Sequence, residues 1–244
     1  MNTLTSEERV RYGRQILILG EDAQERLKSS HVAIFGVGGL GSVVALYLVA
    51  AGVGKVTLVD RDRVELSDLN RQILYDTHMI GKIKVWEAKQ RLEHLNPNVQ
   101  VRPIQMDINE SIRSIIRHVD VVVDCLDNWK ARYVVNEACV REGKILVHGG
   151  IRGFYGQVTI IVPKKTACLC CITGCRARDD ERVLPVIGTT SAVIGAIQAN
   201  ETIKILTGYG MPIYGKFLIY DGYTMEFEVL NVERKEDCPV CGVD

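Results

Sequence analysis

The sequence predicts an α/β fold: a Rossmann-like, mostly parallel sheet with helices before it and an antiparallel β region after it. Three observations predict this. First, residues 31–60, HVAIFGVGGLGSVVALYLVAAGVGKVTLVD, run from an apolar β-branched stretch through a glycine turn and an apolar helical segment to a second β-type stretch ending on Asp60. That is the strand, turn, helix, strand context that a phosphate-binding glycine loop requires. Second, strand-like and helix-like segments alternate as far as residue 148, the pattern of parallel strands joined by crossover helices. Third, the alternation then gives way to β runs, two Cys-x-x-Cys pairs and one long apolar helix.

The glycine turn Gly36-x-Gly38-Gly39-Leu40-Gly41 allows a tight bend, close approach of backbone to a phosphate, and close packing of helix on sheet. The phosphate would sit at the helix N-terminus, where unpaired N–H groups and the dipole favour negative charge. Asp60 ends the second strand, where a carboxylate receives the ribose hydroxyls of an adenosine. The 244 residues balance 30 basic against 30 acidic side chains, so charge favours neither a nucleic acid nor a membrane surface as partner. The longest apolar run, within residues 40–53, is too short and too rich in Gly and Ala to span a bilayer. The charged N-terminus, MNTLTSEERVRYGRQ, has no apolar signal core. A cytoplasmic location is expected, in which the eight cysteines serve as free thiols or metal ligands rather than disulfides.

In chain order, Thr5 followed by Glu8 opens a capping box. Residues 7–15 and 22–29 read as two helices broken near Gly20. Arg9, Arg11 and Arg14 in the first form either a solvated basic face or, through Arg14, a reach to a phosphate. After the strand at 55–59, the polar stretch from Arg61 to Gln72 lies at the carboxyl end of a parallel strand, where open α/β sheets place ligands. Within it are Asp62, Asn70, Arg71 and Gln72; Lys84 follows beyond Gly81. Cations in that density suit a triphosphate better than a dinucleotide. Residues 81–95 read as a helix, 99–104 as a strand, 109–117 as a short helix, and 120–124 as a strand buried on both faces. Asp127 and Asn128 precede a helix at 129–142; Asp127 is either its N-cap or a ligand for the magnesium that accompanies ATP. A strand at 145–148 ends in a Gly149-Gly150 turn, and a β run at 157–162 follows.

Cys168, Cys171, Cys238 and Cys241 supply four thiolates for a closed tetrahedral structural zinc site tying the carboxyl-terminal end back to the body. Cys170 and Cys175 leave the first pair's register open, although Cys168 and Cys171 have the matching spacing. Cys125 and Cys139 read as core thiols. Residues 176–182 read as a charged, mobile loop, 186–206 as a long helix whose small residues permit close packing against a second subunit, and 216–220 with 225–231 as a hairpin around Asp221-Gly222. The whole is read as one unit, residues 1–244: helices in 1–30, a nucleotide-binding core in 31–150, and antiparallel strands, zinc-bound region and long helix in 151–244.

These residues together resemble the MoeB/ThiF/HesA group of ubiquitin-activating (E1-like) adenylating enzymes. The motifs that carry the resemblance span nearly the whole chain: Arg11-Tyr12-x-Arg14-Gln15, the glycine loop, Ala51-Gly52-Val53-Gly54, Asp60-x-Asp62-x-Val64, Leu69-Asn70-Arg71-Gln72, Asp124-Cys125-x-Asp127-Asn128, both cysteine pairs, and Gln198-Ala199-x-Glu201-x-Ile203-Lys204. A dehydrogenase would account only for the glycine loop and Asp60. The resemblance implies an adenylyltransferase that uses ATP to join AMP to a carboxylate. It implies that the glycine loop (Gly36, Gly38, Gly39, Leu40, Gly41), Asp60, Asp62, Asn70, Gln72 and Asn128 surround the nucleotide, that Arg71 and Lys84 hold phosphates, and that Asp127 positions Mg²⁺. It also implies that Arg14 reaches the partner's site in a homodimer.

One departure stands out. Members that pass the activated carboxylate to sulfur often carry a cysteine before the long helix; here that position is Glu181, and Pro185 replaces an expected glycine. Cys175 is the nearest thiol, a substitute or a bystander beside the zinc. Two substrates stay open. One is the Gly-Gly C-terminus of a ubiquitin-like sulfur-carrier protein of the molybdopterin or thiamin type. The other is a small-molecule carboxylic acid, such as the guanylylpyridinol precursor of the Fe-hydrogenase cofactor, which the missing cysteine suits. A third reading is a non-catalytic binding subunit of a heterodimeric activating enzyme, against which Arg14, Arg71, Lys84 and Asp127 in one chain argue.

Overall fold

The computed structural model describes residues 3–177, 179 and 185–242. Five strands form its parallel part: β1 (His31–Phe35), β2 (Lys55–Val59), β3 (Gln100–Ile104), β4 (Val121–Asp124) and β5 (Ile145–Arg152). Three more, β6 (Tyr155–Ile161), β7 (Lys216–Asp221) and β8 (Glu226–Asn231), continue the sheet antiparallel from β5. The order across the eight strands is β3-β2-β1-β4-β5-β6-β7-β8. Strand order reverses between β1 and β4, and such switch points open a crevice at the strands' carboxyl ends.

Both faces of the parallel part of the sheet are covered, whereas β8 is exposed along its length. Val32 and Ile34 of β1 enter one core, built with α4 (Gly39–Ala50), α5 (Lys84–Leu95) and α9 (Gly188–Thr207), while Ala33 and Phe35 enter another, built with α6 (Arg113–Ile116), α7 (Trp129–Glu142) and α8 (Leu169–Thr173). Period-two alternation in a strand walled by helices on both sides explains why these strands read as unbroken apolar runs. No helix among the described residues is long and apolar enough to cross a membrane.

Several boundaries differ from the sequence reading. The N-terminal helix is divided at Tyr12 into α1 (Ser6–Arg11) and α2 (Gly13–Leu19), followed by α3 (Glu21–Ser29). Tyr12 is buried, its hydroxyl accepts from Asn96 Nδ2 at 2.8 Å, and a Cβ on Gly52 would lie 2.5 Å from its ring. Anchoring that ring bends the chain. The Thr5–Glu8 capping box forms as expected. Gly81 stands in a turn at φ 84°, and α5 begins only at Lys84. Residues 110–112 form a 3₁₀ turn ahead of α6 rather than one helix. Gly149 and Gly150 are not a turn: they pair with Val158 and Gln157 inside β5. A Cβ on Gly149 would stand 2.4 Å from the Gln198 amide of α9, so glycine is there to let a helix side chain approach the strand. The turn comes at Gly153, φ 60°.

Candidate nucleotide and metal sites

The glycine loop joins β1 to α4. Gly36 adopts φ 86°, and a Cβ there would lie 2.7 Å from the Cys125 carbonyl oxygen. A Cβ on Gly41 would lie 2.0 Å from the carbonyl oxygen of Gly36. These contacts fold the loop back onto itself and onto the turn after β4. Gly38 caps α4 without a side-chain acceptor, which leaves first-turn N–H groups for an anion.

Asp60 is half-buried after β2 and holds the loop from the other side: one carboxylate oxygen accepts from Val37 N at 2.7 Å, the other from Asp62 N at 2.8 Å. Burial pushes its carboxyl up from the ordinary value, against the pull of those two bonds. Tyr75, which the sequence did not single out, donates its hydroxyl to the Val37 carbonyl at 2.9 Å.

Asp68 organises the cations and was also missed. Its buried carboxylate accepts from Gln72 Nε2 at 2.7 Å, stands 3.1 Å from Lys84 Nζ, and reaches Arg71 at 3.5 Å. Lys84 is buried and also lies 3.9 Å from Asp62. Arg71 donates further to the Ser67 carbonyl and the Asn70 side chain. Its Cγ would be 3.5 Å from a Cβ on Gly39, and the Gln72 amide 3.6 Å from one on Gly38. Asp62, Asn70, Arg71, Gln72 and Lys84 are therefore brought together beside the loop that carries Gly36, Gly38, Gly39, Leu40 and Gly41. The only sequence signal for Asp68 is its spacing from Glu65, the cap pattern the structure forms there.

Asp127 and Asn128 follow the β4 turn that packs on Gly36. Asn128, not Asp127, is the N-cap of α7, accepting from Ala131 N at 2.9 Å. Asp127 is exposed, its carboxylate bonded to the Asn128 amide at 3.2 Å, and so remains available to a ligand. Beneath this turn Asp124 and His148 form a fully buried pair at 2.7 Å, with Gln157 on the other imidazole nitrogen at 3.2 Å. Burial holds His148 below its ordinary pKa despite Asp124. Gln198 of α9 donates to the Asp124 carbonyl at 2.8 Å. Asp179 accepts from the backbone N–H groups of Trp129 and Lys130 at the start of α7. Arg14, on α2, is exposed and forms no hydrogen bond or ion pair among the described residues.

The four cysteine sulfurs of Cys168, Cys171, Cys238 and Cys241 lie within 4.8 Å of one another and are buried. Neighbouring pairs stand 3.9, 3.6 and 3.3 Å apart, close to the ~3.8 Å that four sulfurs at ~2.3 Å from one tetrahedral ion require. It is Cys168 and Cys171 whose sulfurs meet the later pair, and the donor set fits a metal ion. Lys235 N donates to Cys171 Sγ at 3.4 Å. Against the expectation of free thiols, Cys170 and Cys175 are joined as a disulfide. Cys125 and Cys139 are buried core thiols as read. Glu181 lies outside the described residues, as does most of the 176–182 loop.

Comparison with known proteins now decides the family. The ThiF family profile matches residues 12–240. The chain belongs to the ThiF family. It is 38% identical over 247 residues to the heterocyst HesA protein of Trichormus variabilis, covering 100% of this chain and 92% of that protein. It is 41% identical over 257 residues to the sulfur carrier protein adenylyltransferase of Thermus thermophilus, covering 98% and 92%, and 37% identical over 252 residues to the molybdopterin-synthase adenylyltransferase of Escherichia coli, covering 99% and 100%. Among solved structures, E. coli MccB with ATP superposes at TM-score 0.87 and 26% identity, over 98% of this chain and 75% of MccB.

Proposed function

We propose that this ThiF-family chain, as a single adenylation unit over residues 1–244, is an ATP-dependent adenylyltransferase that activates a carboxylate as an acyl-AMP and releases pyrophosphate. The observation that carries the reading is the clustering of Arg71 and Lys84 around Asp68 beside the glycine loop. A dinucleotide site has no use for that density of cations, and the MccB structure with ATP shares the fold.

The residues divide the work by position. Gly38 and the start of α4 offer backbone N–H groups to phosphate. Asp60 keeps lone pairs for ribose hydroxyls beyond the two spent on backbone N–H groups. Arg71 and Lys84 offset phosphate charge. Asp127 would hold Mg²⁺, which supplies further charge neutralisation when bound. The attacking carboxylate is already ionised at neutral pH, so the chain need provide no base. Its contribution is alignment and electrostatic stabilisation as charge moves onto the leaving pyrophosphate. Arg14 is assigned to the partner's site in a homodimer, which suits an unpaired, exposed guanidinium on a helix that also exposes Leu17 and Ile18. Structural Zn²⁺ is assigned to the four cysteines, and a cytoplasmic setting, where ATP is available, belongs to the same reading.

The relatives' names favour the C-terminus of a sulfur-carrier protein as the carboxylate. The disulfide favours a small-molecule acid, or release of the adenylate without a thioester. With Cys175 tied to Cys170, every other described cysteine is either in the core or in the metal cluster. Pyrophosphate–ATP exchange tests both, run with a Gly-Gly-ending carrier and separately with a panel of small carboxylic acids. Exchange is expected with one of the two, and Asp127→Ala should reduce it by about 10²–10³-fold while zinc content stays constant. No exchange with any acceptor would return the chain to the non-catalytic subunit reading.

A further inference from the structure

Seven acidic, basic or histidine side chains are conspicuous for lying inside the protein, and six of them are matched. Glu8 is 2.7 Å from Lys28, Lys84 is 3.1 Å from Asp68, Asp124 is 2.7 Å from His148, and Glu201 meets Lys204. Arg132 of α7 is the seventh. It is 7% exposed, and among the described residues no carboxylate lies within ion-pair distance of it. Its Nη2 donates to the Leu126 carbonyl at 2.7 Å, its Nε is buried without a partner, and its guanidinium carbon stands 4.9 Å from the centre of the Trp129 ring. Asp124 forms no ion pair with it: one carboxylate oxygen is bonded to Leu126 N and the other to His148.

A buried cation without an ion-pair partner is unfavourable in the free protein, and a guanidinium held by an aromatic ring and one carbonyl keeps further N–H donors with which to receive an oxyanion. Its position indicates which one. The carbonyl it grips belongs to Leu126, the residue before Asp127, on the turn that packs on Gly36, whereas Arg71 approaches Gly39 of the same loop. We infer that Arg132 is a further anion-contact residue of this site, receiving an oxygen of the reacting pair: the α-phosphate of the nucleotide or the carboxylate joined to it. The inference rests on the adenylation reading and adds a residue to it.

The test uses the full chain as wild type, Arg132→Met and Arg132→Lys. The thermal midpoint is read without ligand, and binding is titrated with Mg·ATP and with a non-hydrolysable glycyl-adenylate analogue. Arg132→Met removes a charge that has no ion-pair partner but leaves the Leu126 carbonyl without its donor, so its midpoint serves to show that it folds; it should bind at least one ligand about 10–100-fold more weakly. Arg132→Lys should recover part of that loss. Weakening toward both ligands assigns the phosphate, and weakening toward the analogue alone assigns the carboxylate. Unchanged affinity for both, with or without a lower midpoint, overturns the role. Should Arg132→Met not fold, wild-type affinity in Arg132→Lys overturns it equally. A wild-type protein that binds neither ligand overturns the adenylation reading itself.

Discussion

Asp68 shows how much of the proposed phosphate site is held in place by a residue that need touch no phosphate. Its carboxylate is what lets Lys84 be buried. Asp68→Asn keeps the shape and removes the charge, so unfolding in urea should show a loss of about 3–5 kcal/mol, and titration should show weaker ATP binding. A variant as stable and as tight as wild type would remove Asp68 from this role. His148 gives a pH signature. Burial depresses its pKa in the folded chain, so the unfolded chain takes up the extra proton as pH falls below the ordinary histidine value of about 6.5. Stability from this group is therefore complete above that pH and declines below it. His31 is depressed by burial as well, so the comparison must be between variants: His148→Gln should flatten part of the fall in thermal midpoint between pH 7.5 and 5.5, and an unchanged slope would count against it. At this scale the sequence shows residue types well and pairings poorly. Asp127 and Asn128 are both cap formers directly ahead of α7, and only the extended backbone of Asn128, φ −130° and ψ 143°, decides between them.

Among elements, the unit from β1 to β2 was legible because three signals agree there: β-branched runs, glycines at the turn, and an acidic residue closing β2. Gly41 makes the tightest contact within the glycine loop. Gly41→Ala would drive a methyl group into the Gly36 carbonyl, and a calorimetric ATP titration should show binding lost or at least tenfold weaker, with a lower thermal midpoint; normal binding would mean that α4 shifts freely. Gly149-Gly150 misled because glycine pairs commonly punctuate turns, whereas here the cause is Gln198 arriving from α9, some fifty positions further along the chain. The break at Tyr12 has the same origin. Its ring is placed by Gly52 and Asn96, and no local pattern announces a helix interrupted from a distance.

For the whole molecule, the cysteine cluster closes a span from Cys171 to Cys238 that contains α9, β7 and β8. A cross-link over such a span removes about 4 kcal/mol of unfolded-chain freedom in the loop-closure treatment, which at ~2–4 °C per kcal/mol corresponds to roughly 10 °C. Metal removal by a strong chelator, or Cys238→Ser, is expected to lower the thermal midpoint by about that amount, checked by metal analysis beside the melt; a metal-free chain melting with wild type would leave the cluster no part in stability. The four-cysteine cluster was readable from two spaced pairs. The Cys170–Cys175 bond was not, because six residues of chain carry no sign of whether their ends meet. The two ends of the sheet have a consequence for assembly. β3 carries Pro103, which has no N–H to give a neighbour. On β8, a second copy adding around a twofold axis centred on Phe227 would set Glu226 against its partner's Glu228. Both borders resist strand addition, so copies of this protein are steered to associate through helical surfaces, and runaway stacking into fibrils is disfavoured from either side.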